Sequence, residues 1–96
     1  MTDDPELKLL KKALREYKKD RKKTRDTIKD LQQAIGEFDI SLFKCWDEKQ
    51  KARLRCKKVT ALGKLDTAQA HEHRLTRYIN ELKREQIRKG SERQEN

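Results

Sequence analysis

Residues 7–45 read LKLLKKALREYKKDRKKTRDTIKDLQQAIGEFDISLFKC, and this stretch decides the fold. Within it, one set of positions alternates in steps of three and four residues without a phase break. Ten of these twelve positions are apolar or aromatic, and a 3.5-residue repeat kept over five heptads predicts a coiled-coil helix. We call this set the first seam: Leu7, Leu10, Leu14, Tyr17, Arg21, Thr24, Ile28, Leu31, Ile35, Phe38, Leu42 and Cys45.

A second seam with the same alternation follows after residue 50. Seven of its ten positions are apolar, and we expect Val59 and Leu62 to widen it near its start. The second half of the chain is therefore also predicted to be one amphipathic helix. The second seam consists of Leu54, Lys58, Ala61, Leu65, Ala68, Glu72, Leu75, Ile79, Leu82 and Gln86.

Local signals predict the ends of the first helix. Asp4 is a suitable N-cap and Pro5 suits the first helical position, so residues 1–4 are expected to form a tail and a cap. Gly36 costs about 1 kcal/mol relative to alanine inside a helix, yet the seam keeps its phase across it. We therefore expect one uninterrupted helix over about residues 5–46.

The second helix also has start and stop signals. Asp47 precedes Gln50 by three positions, a weak form of the capping box, which predicts a helix over about residues 50–89. Gly90 follows two cations, a pattern typical of a helix C-terminus. The tail over residues 91–96 is expected to be disordered.

Two amphipathic helices of nearly equal length joined by a short connection indicate an antiparallel arrangement. The predicted fold is all-α, an antiparallel helical hairpin (coiled coil) over residues 5–90. Folding about residues 47–50 would bring Phe38 near Leu62 and Gly63, which would give that glycine a packing role. One seam buries little surface, so dimerisation into a four-helix bundle, or docking on a partner, is also expected.

Charge dominates the composition. Charged residues form 45% of the chain, the formal net charge is +9, and residues 8–25 alone carry a net +8. Such an imbalance indicates an anionic partner: nucleic acid, an anionic membrane or an acidic protein surface. No stretch is long and apolar enough to span a bilayer, and no secretory signal pattern opens the chain. We expect a cytoplasmic protein, with the nucleus as the alternative.

The two cysteines are too few for a secreted disulfide framework, which fits a reducing compartment. A turn near residues 50–51 would place Cys45 and Cys56 level across the hairpin, where a disulfide is geometrically conceivable. The favoured interpretation is two small apolar thiols near the seam.

Seven basic residues follow the first seam, each one position after a seam residue. With Leu7 assigned to heptad position a, they occupy positions b and e. The e positions of the second helix, which would face them, hold no carboxylate, so the hairpin is not expected to neutralise them. They form either a partner-binding row or a solvated face. We call them the basic row: Lys8, Lys11, Arg15, Lys18, Lys22, Arg25 and Lys29.

The sequence contains no arrangement typical of catalysis or metal binding. His71 and His73 are two residues apart, so on a helix they point about 200° from each other and one ion cannot bind both. No nucleophile–base set, paired inward carboxylates or Gly-rich phosphate loop is present. We expect no enzymatic activity, no cofactor and no metal.

Phe43 and Trp46, beside the turn, either plug the end of the bundle or anchor a partner.

Three stretches carry a resemblance to a known family: Ile28-Lys-Asp-Leu31, Ser41-Leu-Phe-Lys-Cys45 and Arg74-Leu-Thr-Arg-Tyr-Ile-Asn-Glu-Leu-Lys83. Through them, residues 28–88 resemble the coiled-coil part of Rho-GTPase effectors of the anillin and rhotekin type. In that family, two antiparallel helices present one face to the switch regions of GTP-loaded Rho. The resemblance implies partner-binding roles for Arg77, Asn80, Glu81 and Lys83.

These observations predict a non-catalytic interaction module. The leading hypothesis is a protein partner with an acidic surface, most concretely a Rho-class small GTPase. The alternative is sequence-independent binding of RNA or DNA along the basic row. A third hypothesis is a structural oligomerisation coiled coil, such as a homodimer. An anionic membrane is disfavoured, because no large apolar wedge flanks the basic row.

Overall fold

The computed structural model describes the backbone of residues 5–94 and the side chains of residues 5–90. Two helices account for this part of the chain, α1 (Pro5–Lys44) and α2 (Glu48–Gln94), and it contains no strand. The two helices form a hairpin, which confirms the predicted all-α fold. Dimerisation into a four-helix bundle stays a prediction.

Helix α1 begins at Pro5, where the sequence predicts its start, and the predicted cap Asp4 lies outside the described residues. The helix continues through Gly36, which has no positive φ. It ends at Lys44, two residues before the expected end. The expected single first helix is therefore present.

The connection between the helices is short and is organised by Asp47. The Cys45 backbone N–H donates to the Leu42 carbonyl at 3.3 Å and closes the last turn of α1. The Lys49 N–H donates to Asp47 Oδ1 at 3.0 Å, and the Lys51 N–H donates to the Asp47 carbonyl at 2.9 Å. Asp47 is thus the N-cap of α2, which begins at Glu48 rather than near residue 50.

Helix α2 extends beyond its predicted end. Gly90 does not terminate it, because its φ is not positive and it cannot provide the left-handed turn that closes a helix. Residues 91–94 belong to α2, so the expectation of a disordered tail is wrong for them. Residues 95–96 lie outside the described part of the chain.

The hairpin divides into two compact units, each built from both helices. Unit 1 combines residues 1–23 with 72–96, and unit 2 is the continuous stretch 24–71. In unit 1 the most deeply buried side chains are Leu75 and Ile79, at 3% and 0% exposure. In unit 2 they are Ile28 and Ala61.

Every position of both predicted seams is buried or half-buried, including the polar residues Arg21, Lys58 and Glu72. The heptad pattern therefore identified the packed face of each helix correctly. The expected widening of the second seam is wrong, since Val59 and Leu62 are both exposed. They occupy positions b and e, one step outside the line of contact.

The pairing of the helices differs from the expected register in unit 2. Phe38 lines a groove with Thr60 and Ala61, and nothing lies within 4 Å of a Cβ built on Gly63. The predicted packing role of Gly63 is thus wrong. Because the turn is centred on Trp46, each α1 residue faces a residue a few positions earlier in α2 than expected. The cross-helix ion pair of Lys58 Nζ with Asp39 Oδ1, at 2.5 Å, fits this register.

The same shift separates the cysteines. Cys45 and Cys56 are both free thiols. The Cys45 thiol lies 3.5 Å from the Asp47 carbonyl and 3.6 Å from Gln50 Oε1, at the connection. Cys56 is exposed and lines the groove beside Phe38. The two thiols are therefore not level across the hairpin, as the sequence had suggested.

Candidate anion-binding face

All seven members of the basic row are exposed. Lys8, Lys11, Arg15, Lys18 and Lys22 belong to unit 1, whereas Arg25 and Lys29 belong to unit 2. The five residues in unit 1 span about 21 Å along α1, at a rise of 1.5 Å per residue. The candidate site is built on these five.

Contacts in unit 1 fix which flanks of the two helices meet. Glu6 and Ala13 at heptad position g of α1 line one groove with Glu85, at position g of α2. Glu6 also forms an ion pair with Lys89 on this side. The g flanks therefore face each other, as expected for an antiparallel pair.

The e flanks consequently meet on the opposite side of unit 1. Lys11 and Lys18 of α1 lie on this flank together with Thr76 and Lys83 of α2. The ring centroids of Tyr17 and Tyr78, 5.7 Å apart, independently support this register. The basic row thus extends onto a surface to which both helices contribute.

Positions e, b and f of the two helices form a continuous surface in unit 1, which we call the basic face. Its charged side chains at these positions are all basic within the described residues, and all are exposed. Among the described side chains of unit 1, the carboxylates lie instead at positions c and g, with Glu72 in the seam. The cations of the basic face are Lys8, Lys11, Lys12, Arg15, Lys18, Lys19, Lys22, Arg77, Lys83 and Arg84.

Lys8 takes part in an interaction within the chain. Among the described side chains, none of the other nine cations of the basic face forms an ion pair or a hydrogen bond. In unit 2, Arg25 also has an interaction within the chain. The expectation that the hairpin does not neutralise its basic row stays a prediction.

The basic face offers few apolar groups. Tyr17, the aromatic residue nearest to the row in sequence, is half-buried and contacts Tyr78 toward the g flank. Among the described residues of the face, the apolar side chains are those of Pro5 and Ile87, and Ile87 is 70% exposed. Charge is therefore the main means of recognition that this surface has.

The residues implied by the family resemblance lie on or beside the same face. Arg77, Asn80 and Glu81 line one shallow groove of about 290 Å³ on α2, and Lys83 occupies the adjoining e flank without lining it. Glu81 is at position c, on the border of the basic face. Three of these four residues thus belong to the face identified from α1.

Sequence reasoning missed part of this face. Lys12, Lys19 and Arg84 occupy position f, one step outside the b and e stripe that the basic row follows. A helical wheel of three adjacent positions would have included them. Their exposure and the absence of carboxylates at these positions in the described part of unit 1 add them to the site.

Unit 2 carries a second feature, at the connection. Phe43 and Trp46 are 93% and 95% exposed, and Ile40, one turn before Phe43, is also exposed. The expectation that the two rings plug the end of the helical core is wrong for the single chain. Their availability to a partner stays a prediction.

His71 and His73 are exposed, and the described residues contain no cluster of three or more His, Cys, Asp or Glu side chains placed to hold a metal ion. Neither helix, over its described residues, has an apolar stretch able to cross a bilayer.

Comparisons with protein-family models, curated proteins and solved structures found no match to this chain.

Proposed function

We propose that this protein is a non-catalytic interaction module that binds the phosphate backbone of nucleic acid through the basic face of unit 1. One observation carries the proposal: ten exposed cations share this face, and its described residues include no carboxylate at positions e, b or f. Lys and Arg that neutralise phosphates release condensed counterions, which supplies most of sequence-independent binding.

The composition of the face supports a polyanion over a protein. Protein–protein interfaces have an apolar or aromatic centre and are depleted in lysine. The basic face has seven lysines, and its exposed Ile87 is not accompanied by an aromatic ring among the described residues. We therefore place nucleic acid before an acidic protein surface, whereas the sequence alone favoured the protein partner.

The same composition favours binding without sequence preference. Base-specific contacts in nucleic acids come from bidentate side chains in a groove or from aromatic stacking. Asn80 is the one side-chain amide on the face within the described residues, and Tyr17 is turned toward Tyr78. Phosphate contacts by lysine and arginine remain as the main interaction.

A salt titration tests this proposal. Affinity for a duplex oligonucleotide of random sequence is measured by fluorescence anisotropy between 50 and 200 mM salt. Six or more phosphate contacts predict a loss of about a thousandfold over this range, and two unrelated sequences should bind alike. The absence of binding at the lowest salt concentration, or an affinity that does not depend on salt, would overturn the proposal.

A second candidate function is binding of an acidic protein surface, with a Rho-class small GTPase as the concrete case. It is supported by the groove that Arg77, Asn80 and Glu81 line together, since these residues were implied independently by the resemblance. The test is capture of GTP-loaded and GDP-loaded Rho on the immobilised protein. Preferential capture of the GTP form, lost in Arg77→Glu, would favour it, and equal capture of both forms would count against it.

A further inference from the structure

The two aromatic residues at the connection are almost fully exposed, so they contribute little to the packing of the hairpin. Phe43 and Trp46 are the most exposed large hydrophobic side chains described, at 93% and 95%. Burial of such a side chain is ordinarily among the strongest contributions to folding. Unit 2 nevertheless places both rings in solvent, which indicates a ligand that offers apolar surface.

These rings are attached to an ordered backbone. Phe43 lies in the last turn of α1, which the Cys45 N–H closes through its bond to the Leu42 carbonyl. Trp46 precedes the capping residue Asp47, whose carboxylate accepts the Lys49 N–H at 3.0 Å. The two rings are close in sequence and are attached to backbone that is already ordered. Little backbone conformational entropy is therefore lost when they bind a ligand.

The surroundings of the rings are positive. Residues 44–58 contain seven basic and two acidic side chains. Both acidic side chains have partners, because Asp47 caps α2 and Glu48 pairs with Lys51 at 3.8 Å. Exposed cations such as Lys44, Lys49 and Arg53 remain beside the rings.

The combination of exposed rings and positive charge favours some ligands of the connection over others. A second copy of the connection would be repelled by its own net positive charge. An anionic bilayer would have to desolvate Asp47 and Glu48 together with the neighbouring Trp46, whereas a flexible single strand can place its phosphates on the cations alone. Unpaired nucleobases offer flat π faces to the rings, and their phosphates offer charge to the cations.

We propose that Phe43 and Trp46 stack on unpaired bases of single-stranded nucleic acid, while the neighbouring lysines and arginines contact its phosphates. This inference rests on the proposed function and names its ligand more closely, as a single strand or a region that contains one. A duplex keeps its bases stacked on one another, so it should not engage the rings.

Trp46 is the sole tryptophan of the chain, so its fluorescence reports on this site directly. We expect an oligothymidylate of about 12 nucleotides to quench Trp46 emission, and a duplex of the same length to quench it much less. Replacing both rings, Phe43→Ala with Trp46→Ala, should weaken single-strand binding about tenfold or more and leave duplex binding within about twofold.

Matched controls separate stacking from general effects. Trp46→Phe keeps a ring and should retain most single-strand affinity, whereas Ile40→Ala removes an exposed apolar side chain without a ring and should have little effect. Because all of these side chains are exposed, helicity at 222 nm should be the same in every variant. Unchanged Trp46 emission together with equal single-strand affinity of the double variant would overturn the inference.

Three further outcomes distinguish a lipid partner, a failure of the stacking inference alone and a failure of the proposed function. A blue shift of Trp46 with phosphatidylserine vesicles, without quenching by the oligonucleotide, would overturn the inference in favour of a lipid surface. If the double variant binds single strand and duplex as the wild type does, the stacking inference fails and the proposed function stands. If the wild type binds neither nucleic acid at low salt, the proposed function fails and this inference with it.

Discussion

Ile79 has no solvent-exposed surface, and Leu75, one helical turn before it, is almost as deeply buried. Around them, the other seam positions of unit 1 are half-buried at best. A core of this size leaves the stability of unit 1 dependent on very few side chains. Each of the two therefore contributes a large share of the packing energy of the unit.

We expect Ile79→Ala to lower the free energy of unfolding by about 2–5 kcal/mol, because it removes a fully buried side chain and leaves a cavity. Ile87→Ala makes the same chemical change in the same helix at a side chain that is 70% exposed, and should change stability by less than about 0.5 kcal/mol. Urea unfolding followed at 222 nm measures both. Similar midpoints for the two variants would contradict the assignment of the core.

At the residue scale, the sequence predicted which side chains are buried or half-buried in the hairpin. The 3.5-residue repeat identified every seam position, even where Arg21 or Glu72 interrupts the apolar series, because neighbouring turns fix which face packs. The prediction of buried residues was wrong where it relied on hydrophobicity and ignored the heptad position. Val59 and Leu62 are apolar but lie at b and e, and both are exposed.

At the scale of the elements, the connection sets the register. Asp47 caps α2 through its carboxylate, so α2 begins at Glu48 and the turn is centred on Trp46. The capping signal was visible in the sequence, but its position in the turn was not, since Gln50 suggested a later start. Because the turn lies earlier in the chain than the sequence predicted, Phe38 does not face Gly63, and Cys45 and Cys56 are not level across the hairpin.

The cap of α2 should be measurable. Asp47→Ala removes the acceptor of the Lys49 N–H and should destabilise the hairpin by about 0.5–2 kcal/mol. Asp47→Asn keeps a capping oxygen and should behave nearly as the wild type does. Thermal unfolding by circular dichroism compares them. A loss of stability in Asp47→Asn equal to that in Asp47→Ala would show that the charge, rather than the cap, is what stabilises.

Replacing the helical glycines by alanine is expected to raise the stability of the protein, unlike the substitutions described above. Gly36 and Gly63 have no positive φ, and nothing lies within 4 Å of a Cβ built on either. Gly36→Ala and Gly63→Ala should therefore each stabilise the protein by roughly 0.5–1 kcal/mol, by reducing the freedom of the unfolded chain. Urea midpoints measure the gain. Destabilisation by Gly63→Ala would instead indicate close packing at that position.

On the scale of the whole molecule, the distribution of charge matters more than its sum. The sequence predicted the basic row of α1 from spacing, and the antiparallel heptad pattern predicted that the e flanks meet. The contacts of the g flanks in unit 1 support this arrangement, which places Lys83 on the side of Lys11 and Lys18. The net charge of +9 by itself indicates an anionic partner and identifies no surface.

The basic face is tested most directly by two variants that carry the same charge on different sides of unit 1. Lys11→Glu, Arg15→Glu and Lys18→Glu reverse three cations of the basic face. Lys23→Glu, Arg74→Glu and Arg88→Glu reverse three exposed cations at position c, outside it. Both variants have the same net charge, and both should keep the helicity of the wild type because all six side chains are exposed.

The decisive measurement is the affinity of these two variants and the wild type for one oligonucleotide at low salt. Phosphate binding by the basic face predicts that its variant loses about tenfold or more in affinity relative to the position-c variant, with a smaller dependence on salt. Equal losses in the two variants would contradict this account, because they would show that net charge alone attracts the ligand and that the basic face is merely solvated.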